Sequence, residues 1–217
     1  MTPLLRWGKA LLKLELLGPA GSVAGRVQWP ERAALSGNQA LAAAQARRGR
    51  VSIALRGVVT HEMREALRIW GAAIVEDAPA PPDPTSEFRR TLGAELAAQL
   101  DAIEPPLLVG PAGEIAALLG ALAALREKWP SVRGVALVAA DAELPDLPHA
   151  PEDPEHRVER VAVSRSQASE ARSRIARELG LLAGHAGAAA AAYAHEHGGV
   201  ALVTAAGERE FSLEAPR

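Results

Sequence analysis

The sequence predicts an α/β fold built on mainly parallel sheet. Three observations carry that expectation: short apolar runs recur along the chain, longer helical stretches separate them, and Gly or Pro marks the joins. Strands are expected near residues 11–16, 51–55, 72–75, 107–109, 134–138, 159–163 and 200–203. Helices are expected near residues 39–48, 61–70, 86–100, 113–127, 166–178 and 187–195. Ser36 or Asn38 is placed to cap the first of these helices, and Thr60 and Ser86 the next two. Gly49 and Gly71 stand where a left-handed residue ends a helix. Residues 78–85, APAPPDPT, can continue neither a helix nor a central strand and read as a linker. The acidic, Pro-rich residues 144–155 read as a second loop, and the Ala-rich residues 186–192 as a closely packed helix.

Bulk properties narrow the function classes. At 217 residues and 48% apolar, the chain can bury a real core as one domain or two small lobes. The net charge is −2 without a basic cluster. Arg47, Arg48 and Arg50, like Arg172, Arg174 and Arg177, suit polar helix faces, so no nucleic-acid partner is expected. The absence of cysteine excludes disulfides, thiolate catalysis and Cys-based metal sites. No apolar run approaches the roughly 18 residues that span a bilayer. Residues 1–17 lack a leader pattern, so a cytoplasmic address without membrane contact is expected. His195 and His197 are spaced i, i+2, which splits them between helix faces, and His61-Glu62-Met63 lacks a second His. With His149 and His156 in the acidic loop, solvent-facing histidines and no metal are expected. The four tryptophans are scattered and suit core or interface positions.

Several short motifs follow one another. Thr2-Pro3-Leu4-Leu5 precedes Lys13-Leu14-Glu15 and then Gly18-Pro19-Ala20-Gly21-Ser22-Val23-Ala24-Gly25-Arg26. Ser36-Gly37-Asn38-Gln39 opens a helix, Thr91-Leu92-Gly93-Ala94-Glu95 lies within another, and Gly110-Pro111-Ala112-Gly113 precedes a third. Glu178-Leu179-Gly180 and Gly207-Glu208-Arg209 stand near the end.

In that order the motifs resemble the pyridoxal-phosphate enzymes of the cysteine synthase and tryptophan synthase β-chain type (fold type II). The resemblance covers nearly the whole chain, with material missing around residues 6–11, 27–35 and 78–90. It implies two small open parallel-sheet lobes, trimmed: residues 25–77 as the smaller lobe, 1–24 with 86–217 as the larger, and 78–85 as linker. It implies further that a lysine forming a Schiff base with the cofactor belongs at Ala24, an aspartate at Gly25 and a glycine-rich phosphate loop at Gly110, Pro111, Ala112 and Gly113. The loop Ser36, Gly37, Asn38 and Gln39 corresponds to the segment that holds a substrate carboxylate.

The departures decide the expected chemistry. Ala24 has no amine, and only a lysine forms the internal aldimine that positions this cofactor. The chain has three lysines, Lys9, Lys13 and Lys128, and Lys13 matches a strand lysine that the family does not use for catalysis. Pro111 removes an N–H donor from the phosphate loop, Ala112 adds a side chain and Glu114 brings a negative charge. No covalently bound cofactor is therefore expected. The reading is a degenerate, non-catalytic relative that binds a small carboxylate or amino acid at Ser36–Gln39, or a protein partner, as a homodimer. The alternative is a pyridoxal-phosphate-related enzyme of amino-acid metabolism, of β-replacement or lyase type, with a non-standard site.

Overall fold

A computed structural model of the protein describes residues 1–17, 23–56, 59, 61–140 and 158–204. In chain order it contains β1 (Leu4–Trp7), β2 (Ala10–Leu14), β3 (Arg32–Ser36), α1 (Gly37–Ala46), β4 (Ser52–Arg56), α2 (His61–Ile69) and β5 (Ala73–Val75). There follow α3 (Thr85–Phe88), α4 (Ala94–Leu100), β6 (Leu107–Pro111), α5 (Ile115–Lys128), β7 (Arg133–Ala139), β8 (Val158–Val163), α6 (Arg165–Leu179), α7 (His185–His197) and β9 (Gly199–Val203).

Two sheets result. The larger has strand order β1-β2-β9-β6-β7-β8, and the smaller β3-β4-β5. Every pairing is parallel except β1 with β2, an antiparallel hairpin turned at Gly8, whose φ is +57°. Alternation along β6 sets the layers. Leu107 and Val109 pack with α6 and α7, whereas Leu108 belongs to the opposite core with α4 and α5. That second core runs on without a break through Val23, Val27 and Trp29 to α1 and the smaller sheet. Residues 78–85 follow β5, and the Ala34 N–H donates to the Pro79 carbonyl at 2.8 Å.

Most expected elements form, and the exceptions have physical reasons. β1 was not expected, because four residues beside a turn give too little alternation to read as a strand. β3 was missed because RAALS is mostly small and carries little β-propensity. The first helix ends at Ala46 rather than at residue 48, since Arg48 and Gly49 already have φ of +50° and +77°. Ser86 does not cap α3. The N-cap position is Pro84, and Asp83 Oδ1 just before it accepts from the Thr85 N–H at 3.0 Å. A π-helical segment, Arg89–Gly93, joins α3 to α4 in place of the uniform helix expected. The Ala-rich stretch is α7, whose Ala188, Ala190, Ala191 and Ala194 are fully buried. Thr60, the 144–155 loop with its His149, the neighbouring His156, and Gly207, Glu208 and Arg209 lie outside the described residues.

Candidate functional site

Three of the sequence motifs meet at one half-open cavity of about 350 Å³. A 3-10 turn, Val23–Arg26, brings Ala24 to it. The end of β3 and the first turn of α1 bring Ser36 and Gln39, and the 3-10 turn Ala112–Glu114 brings Gly113 and Glu114. Such a position, outside the carboxyl ends of parallel strands, is where open α/β sheets bind ligands. Trp29, Met63 and Phe88 supply apolar wall, a contribution that no motif in the sequence marked.

The motif residues divide between cavity and core. The Ser36 N–H donates to Gln39 Oε1 at 3.0 Å, which ties strand end to helix start. Gly37 and Asn38 form the first turn of α1. Gly110 and Pro111 pair with β7 inside the sheet, and Ala112 is buried. Of the four residues corresponding to a phosphate loop, only Gly113 reaches the cavity, where a Cβ would meet nothing within 4 Å.

Ala24 is 4% exposed, and its carbonyl accepts from Trp29 Nε1 at 2.8 Å. None of the three lysines lines the cavity. Lys9 is exposed in the β1–β2 turn. Lys128 donates to the Asp101 carbonyl and lies 4.6 Å over the Trp129 ring. Lys13 is completely buried.

Lys13 belongs to a buried ionic cluster that gathers Thr2, Glu15, Arg26 and Glu95 from the other motifs. Its Nζ donates to Glu95 Oε1, to the Thr2 carbonyl at 2.6 Å and to Gln99 Oε1 at 2.6 Å. Arg26 grips Glu15 with two bonds, 2.6 and 2.7 Å, and reaches Glu95 Oε2 at 3.0 Å and Thr2 Oγ1 at 2.8 Å. Thr2 donates its N–H to Glu95 and its hydroxyl to Glu15. Two cations and two anions balance, so the cluster carries no net charge into the core. Burial pushes the Glu95 carboxyl up, but the Arg26 and Lys13 donors outweigh it and hold its pKa at about 2. Burial draws the Lys13 ammonium below its ordinary value against the pull of Glu95. Arg26 sits two residues from Ala24, so the cluster anchors the turn that forms one wall of the cavity.

Some side chains depart from the sequence reading. His195 is half-buried rather than solvent-facing, its ring centroid 4.4 Å from that of Trp7. Its Nδ1 donates to the Trp7 carbonyl at 3.1 Å, which leaves Nε2 to accept from Arg174 at 2.9 Å. Arg172 is 8% exposed and so does not lie on a solvated helix face. Among the tryptophans, Trp7, Trp29 and Trp129 are buried, whereas Trp70 is 44% exposed. Among the described residues no group of three His, Cys, Asp or Glu could hold a metal ion, and no helix is long and apolar enough to cross a membrane.

No protein-family model matches the sequence, and no curated protein sequence matches it. Solved structures do match. O-ureido-L-serine synthase aligns with a TM-score of 0.75 at 21% identity, over 97% of this chain and 90% of that one. A variant of that synthase, with a lysine replaced by alanine and O-ureido-L-serine bound, aligns with a TM-score of 0.76 at 23% identity, over 97% and 89%. The O-acetylserine-dependent cystathionine β-synthase of Helicobacter pylori aligns with a TM-score of 0.79 at 17% identity, over 97% and 94%. At these identities the likeness establishes the fold, a two-sheet α/β architecture shared with these enzymes.

Proposed function

We propose that the chain binds a small amino acid or carboxylate between its two sheets and performs no lysine Schiff-base chemistry. The observation that carries this reading is Ala24: it lines the cavity with the Trp29 indole bonded to its carbonyl, and no lysine reaches that cavity.

Pyridoxal phosphate does not fit the residues present. An aldimine needs a primary amine at the cavity, and Lys13 cannot supply it while three acceptors in the core hold its Nζ. A phosphate needs converging N–H donors, whereas Pro111 has none and Glu114 sets a carboxylate at the same helix start. What remains is a cavity of suitable size for a metabolite, with Ser36, Gln39 and Glu114 as polar groups beside the apolar Trp29, Met63 and Phe88. The variant neighbour that holds O-ureido-L-serine with a lysine replaced by alanine supports the same reading, since this fold then accommodates an amino acid derivative.

The neighbours' names favour a second reading, an enzyme acting on serine derivatives with a non-standard site. One experiment separates the two: melting temperature and visible spectrum with pyridoxal phosphate, and melting temperature with a panel of amino acids. The binding reading expects stabilisation by an amino acid, reduced by Ser36→Ala, and no Schiff-base band. A band fixed by borohydride on a lysine, with a raised melting temperature, overturns it.

A further inference from the structure

The cavity's polar and apolar groups come from different parts of the chain. Ser36 and Gln39 belong to the start of α1, and Glu114 to the turn before α5. Trp29 comes from the segment before β3, Met63 from α2, and Pro84 and Phe88 from α3 and its N-cap. None of these last segments brings a polar side chain to the cavity. The single polar atom of the Trp29 side chain is used, because Nε1–H donates to the Ala24 carbonyl at 2.8 Å, so the indole offers a ligand only carbon.

This wall is built before any ligand arrives. The Phe88 N–H donates to the Pro84 carbonyl at 2.9 Å, and α3 lies so close to α5 that a Cβ on Gly120 would stand 2.8 Å from Phe88 Cβ. Trp29 and Phe88 are buried members of the continuous core, and Met63 packs against it. A ligand hydroxyl or amide set against the wall leaves water and meets no side-chain donor or acceptor there. A methyl or methylene in the same place gains by leaving water.

We propose that Trp29, Met63, Pro84 and Phe88 form a subsite for the ligand's side chain, so that the cavity selects a small amino acid or carboxylate with an apolar chain over one bearing a hydroxyl or amide. This rests on the ligand-binding reading above and deepens it by naming the class of side chain.

Calorimetric titration tests the proposal on two homologous series. One is alanine, 2-aminobutyrate, norvaline and norleucine, and the other propionate, butyrate, pentanoate and hexanoate. Homoserine and 4-hydroxybutyrate are the counterparts of norvaline and pentanoate with the terminal methyl replaced by a hydroxyl. In a series that binds, affinity should rise about fourfold with each added methylene. The hydroxyl counterpart should bind roughly tenfold more weakly than its methyl partner. Met63→Gln, checked for an unchanged melting temperature without ligand, should reduce that methyl preference about threefold or more. Met63→Leu, which keeps the wall apolar, should retain it. Affinity that does not rise along either series, a hydroxyl counterpart that binds as tightly as its methyl partner, or a preference unchanged in Met63→Gln overturns the proposal and leaves the ligand-binding reading standing. Binding by no probe, methyl or hydroxyl, in either series overturns both.

Discussion

Lys13 keeps its ammonium completely buried because Glu95, Gln99 and the Thr2 carbonyl take its three protons, and because Arg26 and Glu15 complete a neutral set. Removing one member should therefore cost more than removing a matched pair. Lys13→Met is expected to destabilise the protein by roughly 3–5 kcal/mol, read from urea unfolding, because it leaves Arg26 as the single cation between the Glu15 and Glu95 carboxylates. Adding Glu95→Gln to that variant should recover part of the loss, as the remaining charges again cancel. The same cluster sets an acid limit. Glu95 has its pKa at about 2 in the folded chain against an ordinary 4.5, so its contribution is complete above about 4.5 and is lost as pH falls towards 2. Unfolding measured across that range should show a steep loss in the native chain and a shallower one in Glu95→Gln. At the cavity wall, Trp29→Phe should cost about 1 kcal/mol, since the Ala24 carbonyl loses its indole donor and keeps the Val27 N–H at 3.4 Å. The sequence exposed the members of the cluster as separate motifs, Thr2, Lys13 with Glu15, Arg26 and Glu95. It could not show that they touch, because partners such as Thr2 and Glu95 stand 93 positions apart.

Two glycines let α5 approach the helical rod that crosses it. A Cβ on Gly120 would stand 2.5 Å from the Thr85 carbonyl and 2.8 Å from the Arg89 nitrogen, and one on Gly93 would stand 2.5 Å from the Ala124 Cβ. The contacts at Gly120 are backbone atoms that cannot swing aside. Gly120→Ala should therefore lower stability by about 1–3 kcal/mol in denaturant unfolding. Gly113→Ala is the matched control: its Cβ enters open space, so stability should hold while ligand affinity changes through the narrowed cavity. At this scale the helices were the legible part of the sequence. Their length and apolar spacing placed α1, α2, α5, α6 and α7 to within two or three residues. The short strands β1 and β3 were not legible, since their pairing comes from neighbours distant in sequence and not from their own composition. The apolar walls of the cavity were hidden for a related reason. Trp29, Met63 and Phe88 look like any core residues until the sheets bring them beside Ala24 and Ser36.

The two sheets share one continuous core, and the cavity opens at their junction. A ligand seated there contacts elements of both sheets, so binding should stabilise the whole fold, by about 2.7 kcal/mol at a concentration 100 times its dissociation constant. The central claim concerns the wall formed by Ala24, where neither the turn itself nor any lysine elsewhere offers an amine. Its most direct test is to incubate the native chain with pyridoxal phosphate, reduce with borohydride, and locate any modified lysine by peptide mass while following the melting temperature. The account predicts no modification of Lys13 and no rise in melting temperature, with labelling confined to the exposed amines of Lys9, Lys128 and the chain terminus. Stoichiometric labelling of Lys13, or of Lys128 together with a raised melting temperature, would contradict it.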